Sequence, residues 1–307
     1  MKNSKFSFSI LAVVVSAGIA ITSCKKKDNS PAQDTDATAA SDNTLAERNA
    51  DDVTNMAGQA SEDGAMSSYK YGNEDVCGLS CATVTRDTVL KKITVTFNGQ
   101  QCLDGHTRSG TLIFDYSGST NGAKFYRNPG YNVVVSSSGY VVDGNAITIS
   151  KTITNTTPVG FNPSITNLTW SVTTNISITE STGTFTWKAT KTKTLLNTSD
   201  TTCYHGQAVH ITWSKARVGL IGNATGQTAA GENFTANVVS QVVRDFTCAP
   251  DANHPGHHPF IDGSLDFTPG TKKTRHIDYA YPNSQGNGAC DNQALVTIGS
   301  YTKVITL

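Results

Sequence analysis

Three histidines, His254, His257 and His258, stand beside Asp251 in the stretch Asp251-Ala252-Asn253-His254-Pro255-Gly256-His257-His258-Pro259. Neutral imidazoles are good ligands for zinc or copper, and a fold-back at Pro255-Gly256 would let His254 meet His257 or His258 around one ion. The prolines keep this stretch out of a helix, which excludes the paired-histidine helix of metalloproteases. The plainer and preferred reading is an exposed Pro-rich loop in which His is merely polar. His106, His205, His210 and His276 are scattered, and His210 falls on the polar phase of its segment. No Gly-x-Ser-x-Gly elbow, phosphate loop or dinucleotide fingerprint occurs. Acidic residues are sparse in the strand-like segments, so no carboxylate pair for glycosidic cleavage can be named.

Cysteine is the second resource. Apart from Cys24 there are six, Cys77, Cys81, Cys102, Cys203, Cys248 and Cys290, which in an oxidising compartment read as up to three disulfides. Cys81 with Cys102 and Cys248 with Cys290 are the favoured pairs, because each brackets one or two expected hairpins, leaving Cys77 to Cys203. Cys77 and Cys81 could form half of a zinc site, but no closely spaced Cys or His pair completes it. Asp104 and Asp291, each near a cysteine, offer oxygens to calcium, although Asp and Gly at such places usually serve turns.

Aromatic faces can stack on sugars. Trp170, Trp187 and Trp213 share the apolar phase of their segments, so core packing is expected of them. Tyr126, Tyr131 and Tyr140, in a Gly- and Asn-rich stretch, are the better candidates for exposed rings.

The amino terminus supplies an address. Lys2 and Lys5 precede an apolar run from Ile10 to Ile21 that stops at Thr22-Ser23-Cys24, the pattern of a lipoprotein signal peptide cut before a diacylated cysteine. The competing transmembrane reading of 6–23 has only about the minimum spanning length and includes several Ser and Thr. Residues 1–23 are therefore expected to be a signal peptide and Cys24 the lipidated first residue, anchored by two or three acyl chains. Removing Lys2 and Lys5 takes the formal net charge from 0 to −2. No basic patch points to nucleic acid.

Residues 24–65 read as a flexible tether with a short helix of two or three turns inside Ser41 to Glu62, where Leu45, Val53, Met56 and Ala57 can share a face. Lys25, Lys26 and Lys27 are read as a solvated run beside the anchor. Residues 66–307 read as an all-β body, with a break near 197–207 that would divide it into two packed units. The alternation is clearest in Leu168-Thr169-Trp170-Ser171-Val172-Thr173-Thr174-Asn175-Ile176-Ser177-Ile178. With Thr184 to Lys191 it forms a hairpin around Ser181-Thr182-Gly183. Further strands are expected at Ile93–Phe97, Thr111–Tyr116, Tyr131–Val135, Tyr140–Val142, Ile147–Ile149, Val209–Leu220, Phe234–Val243, Ile261–Phe267, Thr274–Tyr279, Ala294–Ile298 and Tyr301–Leu307. Asn98-Gly99, Asn121-Gly122, Asp143-Gly144-Asn145, Gly222-Asn223, Asp262-Gly263 and Gly286-Asn287-Gly288 are read as turns between them. The expected fold is an antiparallel meander of long strands, either a sandwich or a long twisted sheet. Asp87-Thr88-Val89 and Asp200-Thr201-Thr202 have the form of O-glycosylation sites, although Thr is also an ordinary strand residue.

Cys81-Ala82-Thr83-Val84-Thr85, Ile93-Thr94-Val95-Thr96-Phe97-Asn98-Gly99 and Cys102-Leu103-Asp104-Gly105-His106-Thr107-Arg108-Ser109-Gly110 together resemble a family of uncharacterised exported lipoproteins common in Bacteroidota. Ile277-Asp278-Tyr279 with Gly288-Ala289-Cys290-Asp291-Asn292-Gln293 resembles the close of the same family. The two places also resemble each other, each running strand, Gly-containing loop, Cys, Asp, strand. The resemblance implies an exported β-protein and supplies no activity, cofactor or ligand.

These readings converge on a non-catalytic, lipid-anchored protein of the bacterial cell envelope, held at the outer membrane. Its partners are expected to be the membrane, through the anchor, and a glycan or envelope protein; no cofactor is implied. The alternative is a metal-binding protein or metal-dependent enzyme using His254, His257 and His258.

Overall fold

The computed structural model describes residues 34–35, 37–61, 81–102, 105–161, 167–200, 211–248, 259–282 and 290–307. Among these residues one helix, α1 (Thr38–Ala60), precedes thirteen strands. These are β1 (Ala82–Asp87), β2 (Lys92–Gln101), β3 (Thr107–Asp115), β4 (Asn132–Val142), β5 (Asn145–Asn155), β6 (Thr169–Glu180), β7 (Gly183–Leu195), β8 (Arg217–Gln227), β9 (Asn233–Asp245), β10 (Phe260–Pro269), β11 (Arg275–Asp278), β12 (Gln293–Ile298) and β13 (Tyr301–Thr306). They form one sheet in chain order, each antiparallel to the next. A single all-β meander is thus realised as one sheet. β7 and β8, on either side of 197–207, are hydrogen-bonded neighbours in it.

Alternation explains the strands. In β6 the inward side chains of Trp170, Val172, Ile176 and Ile178 are buried, while Thr173 and Asn175 on the other phase are exposed. β7 continues the rule with Phe185, Trp187 and Ala189. The two join through Ser181 and Thr182, with Glu180 opposite Gly183. The expected burial of Trp170 and Trp187 is what the structure shows, at 0% and 2% exposure.

The sheet curls. Side chains on β3, β5, β7, β9 and β11 all reach α1 or the residues beside it. A flat sheet spaced at about 4.8 Å would put β3 and β11 roughly 38 Å apart, far wider than a helix about 10 to 12 Å across. Bulges provide the bending, and they fall where several turns were expected. Asn98-Gly99, Gly222-Asn223 and Asp262-Gly263 lie within β2, β8 and β10 at breaks in register, not between strands. Gly263 is at φ +93°, and a Cβ there would lie 2.2 Å from the Gln241 carbonyl oxygen, so no other residue fits. Asp143-Gly144 is a true two-residue turn.

The helix also departs from expectation. Two or three turns at the end of a tether become a 23-residue helix buried on nearly every side. Its composition favours helix through six alanines and few β-branched residues. Its end is closed by the Ser61 backbone N–H, which donates to the Ala57 and Gly58 carbonyls. Asn43, Glu47, Asp51 and Asn55 are buried alongside Ala46, Ala50 and Val53. Polar residues buried beside a stripe made mostly of alanine leave only a weak apolar periodicity, which is why its length was not apparent.

The Val209–Leu220 strand begins later, at Arg217, and Trp213 lies in a 3₁₀ turn, Trp213–Lys215. Among the described residues no helix is long and apolar enough to cross a membrane.

Candidate functional site

Two places on this scaffold gather polar chemistry, the concave interior and one end of the sheet.

The interior is built by lysines and arginines occupying inward positions on odd-numbered strands. In β7, Lys191 and Lys193 continue the phase of Phe185, Trp187 and Ala189; in β5, Lys151 shares the phase of Ile149 and Ile153. Arg108 on β3, Arg244 on β9 and Arg275 on β11 bring the buried cations of the sheet to six. Burying a charge is costly unless it is paired. Pairing comes from α1 and Asp34. Lys191 Nζ meets Glu47 Oε1 in a close contact. The Arg244 guanidinium lies 3.4 Å from Asp51 Oδ2 and 3.3 Å from Asp52 Oδ1. Arg108 is 3.8 Å from Asp52 Oδ2, and Arg275 is 2.9 Å from Asp34 Oδ2.

Neutral groups complete the lining. Trp187 Nε1 donates to Asn43 Oδ1 at 3.0 Å, and Trp170 Nε1 to the Tyr126 carbonyl at 2.9 Å. Lys151 Nζ donates to the Ala50 carbonyl at 2.6 Å, and Lys193 Nζ to Asn55 Oδ1 at 3.0 Å. The Lys193 ammonium also lies 5.7 Å from the Tyr126 ring centre. Burial pushes both Lys151 and Lys193 down from 10.5 to about 7, against the attraction of Asp51. Arg108, Lys191, Arg244 and Arg275 take their ion pairs from Asp34, Glu47, Asp51 and Asp52. Burial likewise raises the hydroxyls of Tyr126 and Tyr279 well above their ordinary value. The interior therefore binds its own helix.

The ends of the sheet differ. At one end, successive strands are joined by 102–106, 143–144, 181–182, 228–232, 270–274 and 299–300, none longer than five residues. At the other, apart from 88–91, the connections 116–131, 156–168, 196–216, 246–259 and 279–292 each have at least thirteen. A disulfide guards each end. Cys81–Cys102 fixes the edge strand β1 at the short-turn end, with Cα atoms 5.0 Å apart. Cys248–Cys290 ties two long connections together, with Cα atoms 4.8 Å apart. Both expected pairs are present, which removes Cys81 from any zinc site.

At the long-connection end, Thr88, Lys91, Tyr116, Ser119, Gly122 and Lys124 line a cleft of about 290 Å³. Asp87 Oδ1 accepts from the backbone N–H groups of Val89 and Leu90 at 3.0 and 2.8 Å, so the 88–91 turn is rigidly formed. Lys91 takes φ +53°, and its carbonyl accepts from Tyr116 N–H, joining the turn to the neighbouring loop. Val89 and Leu90 are left 88% and 59% exposed. Lys91 and Lys124 form no ion pair among the described residues.

Other sequence candidates are placed as follows. Tyr126, Tyr131 and Tyr140 are not exposed rings but core, at 0%, 1% and 3% exposure; Tyr126 stacks on Trp170 with ring centres 4.8 Å apart. The Gly- and Asn-rich loop around them folds over the interior, which composition does not reveal. His106 pairs with Asp143 at 2.7 Å between two short turns, and His276 pairs with Asp266 at 2.7 Å on the outer face. The Asp291 carboxylate accepts from Gln293 N–H at 2.8 Å, the turn role expected of it. Cys24, Cys77, Asp104, Cys203, His205, His210, His254, His257 and His258 lie outside the described residues. Among the described residues no group of His, Cys, Asp and Glu is arranged to hold a metal ion. The interior cations escaped sequence reading, although Lys191 and Lys193 on the tryptophan phase of β7 were the available signal. No family model, curated protein or solved structure matches the chain.

Proposed function

We propose that this chain is a non-catalytic, lipid-anchored protein of the bacterial cell envelope that carries its long-connection end away from the membrane and binds an anionic glycan there. The observation that carries the reading is the asymmetry of the two ends. Short turns complete one end with minimal chain, whereas the other spends long connections and a disulfide on its surface, the usual arrangement for recognition on a rigid scaffold. The concave face, where a curled sheet would otherwise house a substrate, is filled by α1. That favours recognition at the rim over chemistry in the interior.

Asp34, which follows the expected tether, is held by Arg275, the first residue of β11, at the short-turn end, and this supports an outward role for the opposite end. Lys91 and Lys124 at the cleft supply the positive charge for carboxylate or phosphate groups on a glycan. Peptide mass spectrometry should find an acylated Cys24 at the mature terminus. The purified chain should bind polygalacturonate or alginate but not dextran, at least fivefold more tightly than the K91E/K124E variant. Equal binding to neutral and acidic polysaccharides, no binding to either, or turnover of the polymer would overturn the reading.

A further inference from the structure

Two buried amines of the interior hydrogen-bond neutral oxygens of α1: Lys151 Nζ donates to the Ala50 carbonyl and Lys193 Nζ to Asn55 Oδ1. Lys151 on β5 faces Asp51 and Asp52 on α1, Lys191 on β7 and Arg244 on β9. Lys193 on β7 faces Asp51, Arg244 and Lys151, with Asn55 and the ring of Tyr126 beside it. Glu47 is taken by Lys191, and Asp51 and Asp52 by Arg244. A proton added to either amine therefore places a charge near the Arg244 guanidinium, away from water, beside an Asp51 that Arg244 already shares.

We propose that α1 is held in the sheet by a latch that loosens on acidification, with Lys151 and Lys193 as the groups that take up the protons. Geometry makes the helix the moving part. It contributes Asp51 and Asp52 and both oxygens that the two amines bond, whereas the strands are fixed by ladders to both neighbours. Once α1 draws away, both ammonium groups can be hydrated.

The sign follows from where the protons bind. In the assembled state both amines titrate near 7, and in the open state near their ordinary 10.5, so between those values the open state holds more protons. Assembly is therefore favoured as pH rises from about 7 to 10.5, and the penalty is complete below about 7. Between pH 8 and pH 6 the opening constant should rise about tenfold for each lysine, and up to about 100-fold for both acting independently.

Hydrogen exchange of the full chain, read by mass spectrometry at pH 6 and pH 8 and corrected for intrinsic rates, tests this directly. Amides of α1 should lose at least tenfold protection at pH 6, while those of β6 and β7 stay unchanged. The K151M/K193M variant should show protection of α1 that is independent of pH; if it does not fold, K151M alone should lose about half of the logarithmic effect. Wild-type protection equal within twofold at the two pH values would overturn the latch. So would an equal change in β6 and β7, or a variant that keeps the wild-type pH dependence.

Discussion

The two faces of the same sheet follow opposite rules. Outward, Thr152, Thr173, Thr190 and Asn223 face one another across β5 to β8, small hydrogen-bonding side chains in contact with water. Inward, tryptophans and tyrosines share the surface with six buried basic side chains of the sheet. Hydroxyls in water gain little from one another. Charges withdrawn from water must be matched individually, so specificity for α1 resides on the inner face, while the outer face supplies solubility and strand propensity.

Breaking the pair between Lys191 and Glu47 should give the largest effect. K191A leaves Glu47 buried without its cation and should cost about 3 to 5 kcal/mol in chemical unfolding. The double change K191M/E47L should recover most of that loss, because an apolar pair of similar volume replaces a pair that is expensive to desolvate. If the double variant proves as unstable as the single one, the interior is specified by something other than charge pairing. W170A, which removes a fully buried ring stacked on Tyr126, should also cost about 3 to 5 kcal/mol. Removing Cys81–Cys102 by a C81A/C102A change should cost about 3 kcal/mol, as expected for the loop it closes. At the small end, T173A on the outer face should stay within about 0.5 kcal/mol of wild type. A loss comparable to K191A would erase the distinction between the faces.

Legibility in the sequence tracks the same division. β6 could be read to within two residues because nearly every second position is apolar and the others are Thr, Ser or Asn, whereas β7 runs four residues past the expected Lys191 because Lys191 and Lys193 take its inward phase. Both observed disulfides could be read because each cysteine pair brackets neighbouring hairpins. Three glycine pairs misled, since a glycine demanded by a bulge inside a strand has the same local composition as one demanded by a turn. The helix was underestimated for a different reason. Glu47, Asp51 and Asp52 look like a solvated acidic face until Lys191 and Arg244, more than a hundred residues away, are placed against them. Local pattern carries no record of such a partner. Tyr126 was misjudged likewise: its loop composition is that of a surface, and its burial depends on Trp170 from β6.

The position of α1 in the chain constrains biogenesis. Asp34 and Arg275 are 241 residues apart, and Asp52 and Arg244 are 192 apart. Contacts this distant in sequence make folding slow, because the loop-closure entropy must be overcome before they form. Were the chain exported amino terminus first, as proposed, Asp34 and α1 would emerge well before Arg275 and Arg244, so the set of ion pairs could be completed only after β9 and β11 had followed.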